Sequence, residues 1–177
     1  MNGQPKVTVV VLTLGNSPEL RACLASLARD GYPDLDCVVV VNAPAIPGLA
    51  KGLKDGFPKV YDITFTGRNL GFAAANNIGI AKAFSSGAEL VLLLNDDAEL
   101  VPGAVSALVE EANANPSAGM LGARIFYRSD ERKISFSGAG FNRRDCSFSY
   151  PLSDTEDNGV PGAPVPTDYV SGCALMF

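Results

Sequence analysis

Three polar residues, two of them acids, directly follow an apolar run in the middle of the chain. The run of three leucines (92–94) predicts a buried strand, and Asn95, Asp96 and Asp97 come at its carboxyl end. In open α/β sheets, ligands bind at that end of the strands. Adjacent carboxylates need a cation or solvent, and their oxygens suit Mg²⁺ or Mn²⁺ bound with substrate phosphates. The pattern fits equally well a turn capped by Asn95 and Asp96, with Asp97 simply exposed.

A second segment, residues 66–79, combines glycines with one arginine and two asparagines. The glycines would let backbone approach a ligand, and Arg68 could face a diphosphate or a planar base. Asn76 and Asn77 interrupt an apolar helix, in which asparagine is a poor helix former. They are expected either to hydrogen-bond the loop after Asp97 or to face solvent, and the residues alone favour solvent. No Gly-Lys-Ser/Thr follows, and no GxGxxG follows the first strand, so neither a P-loop nor a dinucleotide fingerprint is present.

Composition excludes several classes of site. Lys plus Arg is 14 and Asp plus Glu is 19, which gives a net charge of −5, and the pI near 4.7 argues against a DNA or RNA partner. The chain has no histidine, so a histidine metal ligand or general base is excluded. Its four cysteines lack CxxC spacing, so zinc ligation is not expected. Cys23 and Cys37 lie in apolar stretches and are expected in the core.

Alternating strand and helix patterns predict an α/β fold with a doubly wound, mostly parallel sheet. Ser17 reads as the N-cap of a first helix that begins at Pro18, and a buried stripe follows at helical spacing: Leu20, Cys23, Leu24 and Leu27. Strands are predicted at 7–14, 37–41, 60–65 and 90–94. Further helices are predicted at 49–56, 71–84 and 102–113, the last beginning at Pro102. The inner face of the helix over 71–84 is expected to carry Phe72, Ala75, Ile80 and Phe84.

After Pro116 the pattern changes to short segments. Strands are predicted at 120–127, 134–136 and 146–150, separated by charged or glycine-rich turns. Residues 151–166 predict a surface loop because of their acids, glycines and prolines, namely Pro151, Pro161, Pro164 and Pro166. A last apolar strand is predicted from Tyr169 to Phe177.

Several sequence blocks occur in a fixed order. They are Val-Val-Val-Leu-Thr (9–13), Leu-Arg-Ala-Cys-Leu-Ala-Ser-Leu (20–27), Tyr32-Pro33, Asn-Leu-Gly-Phe-Ala-Ala-Ala-Asn-Asn (69–77), Leu-Leu-Asn-Asp-Asp-Ala (93–98) and Asp-Tyr-Val-Ser-Gly-Cys-Ala (168–174). In order and spacing they resemble inverting glycosyltransferases of family 2, particularly the rhamnosyltransferase-like branch. The last block is similar to that branch's strand beside the donor sugar. The resemblance covers nearly the whole chain.

The resemblance implies a GT-A fold with a small antiparallel C-terminal part. Residues 1–177 would be one domain, incomplete at its C-terminus, in which residues 1–115 bind the nucleotide and residues 116–177 begin the acceptor side. Asn95-Asp96-Asp97 would be the counterpart of the DxD motif. Asp97 would hold Mn²⁺ or Mg²⁺ against the diphosphate of a UDP- or dTDP-sugar, and Asp96 or Asn95 would reach the ribose or donor sugar. Bound metal would stabilise the charge that the leaving diphosphate gains.

The resemblance also places other residues beside the nucleotide sugar. These expected binding residues are Thr13, Asn42, Arg68 and Gly172, with Asn76 and Asn77 in supporting positions. The family usually has a base-contacting acid before the asparagine that ends the second strand, but Val41 occupies that position here. Recognition of the base must therefore differ or be weaker. An inverting enzyme also needs a carboxylate base, which in this family follows the strand that begins near Asp168. The base is expected beyond Phe177, and the chain alone is expected to be inactive.

The predicted function is transfer of a sugar, with rhamnose as one candidate, to a glycan or lipid-linked acceptor in cell-wall or polysaccharide biosynthesis. The alternative is a non-catalytic module that keeps the fold for assembly, which Val41 and the proline-rich turn at 43–47 favour. A nucleotidyltransferase or phosphotransfer domain fits less well, since neither a glycine-rich loop nor acids follow the first strand. With no signal-peptide core and no run of about 18 apolar residues, the chain is expected in the cytoplasm. Peripheral docking at the inner membrane face is left open for the intact protein.

Overall fold

Runs of β-branched residues form the centre of the sheet, because such side chains pack well on a pleated surface. A computed structural model describes residues 4–158 and 163–177 of the chain. Four of its strands run parallel. They are β1 (Val7–Thr13), β2 (Leu35–Val41), β3 (Val60–Phe65) and β4 (Leu90–Asn95). Strand β1 ends one residue before its predicted end at residue 14, and β3 has its predicted bounds.

The sheet continues beyond β4 with two short strands, β5 (Leu121–Gly122) and β10 (Ala174–Met176). The order of the six strands is β3-β2-β1-β4-β10-β5. The last strand in the chain therefore lies between β4 and β5, and it is antiparallel to both. This arrangement confirms the predicted mostly parallel sheet with an antiparallel C-terminal part.

The helices of the described residues cover both faces of the sheet. They are α1 (Pro18–Asp30), α2 (Leu49–Gly56), α3 (Phe72–Ser85) and α4 (Ala104–Ala114). Helices α1, α2 and α4 pack on one face, and α3 packs on the other. Helix α1 begins as predicted, because Ser17 Oγ accepts a hydrogen bond from Leu20 N at 3.0 Å, and its predicted stripe is buried. The longest of them, α3, has 14 residues and a length of about 21 Å. No described helix could cross a bilayer.

Helix α3 contacts the sheet through small residues. Its buried positions are Ala75, Asn76, Gly79 and Ala83. The prediction that Phe72 and Phe84 line this face was wrong, since they are 50% and 48% exposed. A Cβ added at Gly79 would lie 2.3 Å from Val10 Cγ1, so the helix lies too close to the sheet for large side chains.

Helix α4 begins at Ala104 and not at the predicted Pro102. The buried carboxylate of Asp30, at the end of α1, accepts a hydrogen bond from Val105 N at 3.1 Å. The Asp30 carbonyl accepts a second bond from Gly103 N at 2.9 Å. An acid from another helix therefore caps α4, and this tertiary contact sets where the helix starts.

Two hairpins precede β10. One joins β6 (Ile125–Tyr127) to β7 (Asp130–Phe136), and the other joins β8 (Gly140–Asn142) to β9 (Ser147–Ser149). The strand predicted over 120–127 is split between β5 and β6, which belong to different sheets. The strand predicted from Tyr169 is regular only in β10, because Tyr169 bridges Ala139 instead of the main sheet. Strand β8 was not predicted. In the predicted loop 151–166, Pro161 lies outside the described residues.

Candidate functional site

The carboxyl ends of the parallel strands lie along one edge of the sheet, and the predicted residues follow it in strand order. Arg68 comes after β3, Asn42 after β2, Thr13 ends β1 and Asn95 ends β4. Neighbouring strands lie about 4.8 Å apart, so this row is roughly 14 Å long. Positions that lie between residues 13 and 95 of the sequence are thus brought together along one edge of the sheet. We call Arg68, Asn42, Thr13 and Asn95 the strand-end row.

Gly172 adds the next position to the strand-end row. Because β10 is antiparallel to β4, the residues before β10 lie beside the end of β4, and Asn95 N donates to the Cys173 carbonyl at 2.9 Å. A Cβ added at Gly172 would lie 3.0 Å from Cζ of Phe72. Helical periodicity predicts Phe72 in the core, so the sequence gives no sign of it as a site residue. Its half-exposed ring instead lies against Gly172 at the row.

The acids form a tight turn after β4. Ala98 N donates to the Asn95 carbonyl at 3.2 Å, which closes the turn. Asp96 is half-buried and Asp97 is exposed. Within residues 4–158 and 163–177, neither carboxylate takes part in a side-chain hydrogen bond or an ion pair. The two negative charges are therefore balanced by no protein cation in the described chain.

Two thiols lie in the field of these acids. Burial raises the pKa of Cys23 to about 12, and the charges of Asp96, Glu99 and Asp97 add to this effect. Burial also raises the pKa of Cys173, with the charge of Asp97 as the second cause. Both thiols stay protonated at neutral pH, which makes them poor nucleophiles. Cys23 and Cys37 are buried, which confirms their predicted place in the core.

The side chains of Asn42 and Thr13 are occupied within the protein, and both residues are 3% exposed. Asn42 Oδ1 accepts from Leu70 N at 2.8 Å, and its Nδ2 donates to Asn69 Oδ1 at 3.0 Å. Thr13 Oγ1 donates to the Gly15 carbonyl at 2.9 Å. These bonds shape the turns at the strand ends. Asn42 in particular fastens the loop that carries Arg68.

The predicted segment 66–79 divides into exposed and buried polar groups. Arg68 is exposed, and its guanidinium forms no ion pair or hydrogen bond in the part of the chain that the structure describes. Asn77 faces solvent, as one of its two predicted alternatives has it. Asn76 follows neither alternative, because it is buried and donates to the Phe72 carbonyl at 3.0 Å. It completes the first turn of α3.

The sequence of residues 8–176 matches the family model described as "Glycosyl transferase family 2". The chain belongs to this family. It is 30% identical over 131 residues to the uncharacterized protein y4gI of Sinorhizobium fredii. The matched segment covers 72% of this chain and 14% of that protein. The chain thus spans about a seventh of this relative's length. It covers 38% to 40% of the length of the similar solved chains.

Solved structures of similar shape include one complex with a sugar nucleotide and one complex with a nucleotide. The mannosyltransferase PcManGT of Pyrobaculum calidifontis, solved with GDP-Man and Mn²⁺, matches with a TM-score of 0.58 and 24% identity, over 73% of this chain and 38% of that one. S. aureus TarS 1-349 in complex with UDP matches with a TM-score of 0.59 and 17% identity, over 76% and 40%. These likenesses show the fold, and the predicted GT-A fold is confirmed.

The donor set of this glycosyltransferase domain suits a metal shared with a ligand. Among the described residues, no group of three His, Cys, Asp or Glu side chains could hold a metal ion. Asp96 and Asp97 offer one or two carboxylates, and Mg²⁺-type ions are commonly held by that number together with substrate phosphates. The residues present therefore fit a divalent cation that binds with a diphosphate.

Proposed function

We propose that the acidic turn after β4 binds Mn²⁺ or Mg²⁺ together with the diphosphate of a UDP- or dTDP-sugar. The intact protein then transfers the sugar, with inversion, to a glycan or lipid-linked acceptor. The observation that carries this proposal is the pair of unbalanced carboxylates, Asp96 and Asp97, at the carboxyl end of a central strand. Complexes of similar folds with GDP-Man and Mn²⁺ and with UDP support it.

The side chains of the strand-end row take different roles in this proposal. Exposed Asp97 holds the cation, and Asp96 or Asn95 reaches the ribose or the donor sugar. When bound, the cation supplies positive charge at the leaving diphosphate. Arg68 is free to face the diphosphate or to stack on the base. Gly172 leaves space for the ring of Phe72 at the sugar end of the row.

Thr13 and Asn42 act through the backbone in this proposal. Their side chains are already bonded within the protein, so they hold the turns at the strand ends in place. Val41 is fully buried in the core, and no polar atom from that side chain meets the base. Recognition of the base therefore falls to the loop that Asn42 fastens, with Arg68 as its exposed planar group.

The test is calorimetry of the 177-residue chain with UDP and dTDP, each with and without Mn²⁺. We expect binding that depends on Mn²⁺, and at least about a tenfold loss of affinity in Asp97→Ala, equivalent to about 1.4 kcal/mol. The matched control is Asp34→Ala, which removes an exposed aspartate just before β2, at the opposite edge of the sheet. Binding without metal, or equal losses in the two variants, would contradict the proposal. No nucleotide binding at all would favour the non-catalytic module.

The finer expectations from the resemblance belong to the same proposal. They are a rhamnosyl donor, a role in cell-wall or polysaccharide biosynthesis, a cytoplasmic location, and a division into a nucleotide-binding part (1–115) and an acceptor-side part (116–177).

A further inference from the structure

Four aromatic rings meet at the surface around the β8–β9 hairpin. The centroids of Phe141 and Phe148 lie 4.9 Å apart, and Tyr169 lies 5.5 Å from Phe148. Tyr150 stacks on Phe148 at 6.4 Å. Each ring is between 38% and 48% exposed. A cluster of exposed rings on a folded chain indicates a binding surface, and the proposed donor site does not use these rings.

Three of these rings, all but Tyr150, line a cleft that also contains two side chains of opposite charge. Its volume is about 240 Å³, and it is lined by Phe141, Arg143, Phe148, Asp168 and Tyr169. Asp168 uses Oδ2 to accept from Phe141 N at 2.9 Å, and its Oδ1 has no hydrogen-bond partner among residues 4–158 and 163–177. Arg143 forms no side-chain bond within the described residues and offers several donors. The cleft therefore combines flat apolar faces with a hydrogen-bond donor and acceptor at their edge.

These groups match the chemistry of a sugar ring. A pyranose has C–H faces that pack on aromatic rings, and hydroxyl groups at its rim that need donors and acceptors. A polyprenyl or acyl chain suits this cleft less well, because it would leave the charges of Arg143 and Asp168 unpaired in an apolar contact. A second cavity of about 350 Å³ also has Asp168 in its wall, so there is space for more than one ring.

The cleft is held in shape by the backbone around it. Ala139 and Tyr169 form a β-bridge, and Ala139 N donates to Thr167 Oγ1 at 2.8 Å. Together with the bond from Phe141 N to Asp168, these contacts tie the hairpin to the segment before β10. A rigid platform lowers the entropy that ligand binding costs.

The segment before β10 also connects the cleft to the strand-end row. Tyr169 lies four residues before Cys173, whose carbonyl is bonded to Asn95 N, so at most about 14 Å of extended chain separates them. We infer that the cleft of Phe141, Phe148 and Tyr169 binds sugar rings of the acceptor glycan. Its assignment as the acceptor side rests on the proposed function, whereas its binding of a glycan is tested independently.

The experiment measures saturation-transfer NMR of the 177-residue chain with a panel of neutral, amino and acidic oligosaccharides, without metal or nucleotide. We expect at least one oligosaccharide to receive saturation at its ring C–H protons, and sorbitol, which has hydroxyls but no ring, to receive none. Phe148→Ala should weaken the binding about tenfold, because it removes the central ring. Arg143→Met, at an exposed side chain without partners in the described chain, should weaken it without disturbing the fold.

The matched control is Phe84→Ala, which removes a ring of similar exposure, 48% against 46%, from the α3 surface. It should leave oligosaccharide binding unchanged, and so should Asp97→Ala, which is expected to weaken only metal-dependent nucleotide binding. The two proposals can therefore fail separately. No binding across the panel, equal binding of sorbitol, equal losses in Phe148→Ala and Phe84→Ala, or no loss in both Phe148→Ala and Arg143→Met would overturn the inference.

Discussion

The region up to α4 and the region after it use their hydrophobic residues in different ways. In the first, β1 and β2 are buried almost completely between helices. In the second, the described hydrophobic residues that are buried are few: Ile134, Ala139, Ala174 and Met176. Its large aromatic rings are instead half-exposed around the β8–β9 hairpin. The first region therefore uses its apolar side chains to hold the strand ends in place, whereas the second leaves aromatic rings exposed, as the inferred glycan site requires.

The largest expected loss of stability comes from truncating a core side chain of the first region. The matched comparison is the truncation of a surface side chain of the second region. Leu92→Ala, at a fully buried position of β4, should lower the free energy of unfolding by about 2–5 kcal/mol through lost burial and the cavity left behind. Phe148→Ala removes a larger side chain from the surface and should cost less than about 1 kcal/mol. Denaturant unfolding monitored by circular dichroism measures both. Equal costs would show that the hairpin rings act as core and would remove the contrast.

A smaller change in stability tests how closely α3 packs on the sheet in the first region. In Gly79→Ala the new methyl would meet Val10 Cγ1 at 2.3 Å and Val40 Cγ2 at 3.0 Å, which should destabilise the protein by about 1–3 kcal/mol. Gly52→Ala, in α2, meets nothing within 4 Å and should stabilise it by about 0.5–1 kcal/mol. Thermal melts of the two variants should therefore shift in opposite directions. A neutral Gly79→Ala would mean that α3 packs loosely on the sheet.

The smallest expected effect concerns an ion pair in each region. Burial raises the pKa of Asp62, but hydrogen bonds from Lys82 and Thr64 outweigh it and leave the pKa below its ordinary value of 3.8. The ionised form therefore favours folding. Its contribution is present above pH 3.8 and is lost as the pH falls through the lower folded-state pKa. Asp62→Asn should cost less than about 1 kcal/mol at pH 7, since solvent screens this half-exposed pair.

The matched variant for that pair is Asp154→Asn. Hydrogen bonds from Lys133 and Tyr127 lower the pKa of Asp154, whose side chain is 64% exposed, so its loss should be the smaller of the two. Urea unfolding at pH 7 and near pH 3 would compare them, and the cost of Asp62→Asn should shrink at the lower pH. A cost that stays constant with pH would mean that the Asp62 charge contributes nothing to stability.

The parts of the fold that sequence predicted well are those with strong local patterns. Strand β3 and the start of helix α1 match the prediction, because an apolar run of strand length determines the first, and the N-cap Ser17 with the stripe that follows it determines the second. The start of α4 depends on Asp30, which is more than 70 residues away in the chain, so no local signal contains it. The short strands after residue 120 have too few residues to show a periodicity, and β5 pairs with β10 more than 50 residues later in the chain, a contact that no local signal contains.

The candidate site was partly predictable for a similar reason. Ligands bind where parallel strands end, and this rule predicted Asn95, Asp96 and Asp97 as a site from sequence alone. Asn42 was expected beside the nucleotide sugar only because of the family resemblance. The resemblance could not show that Asn42 is already bonded to the neighbouring loop, because that depends on how the loop folds back. The aromatic cleft was not predicted either, since Phe141, Phe148 and Tyr169 approach one another only through the hairpin and its bridge.

The position of β10 between β4 and β5 has a consequence for how the chain folds during synthesis on the ribosome. Strands β1 to β4 emerge early and can pair with one another, but the outer edge of β4 gains its partner only when Ala174–Met176 arrives. Until then a nascent chain presents an open, apolar strand edge, the kind of surface that pairs with other chains. Slow translation through the long stretch between β4 and β10 should therefore favour aggregation, and chaperones that shield strand edges should raise the yield of folded protein.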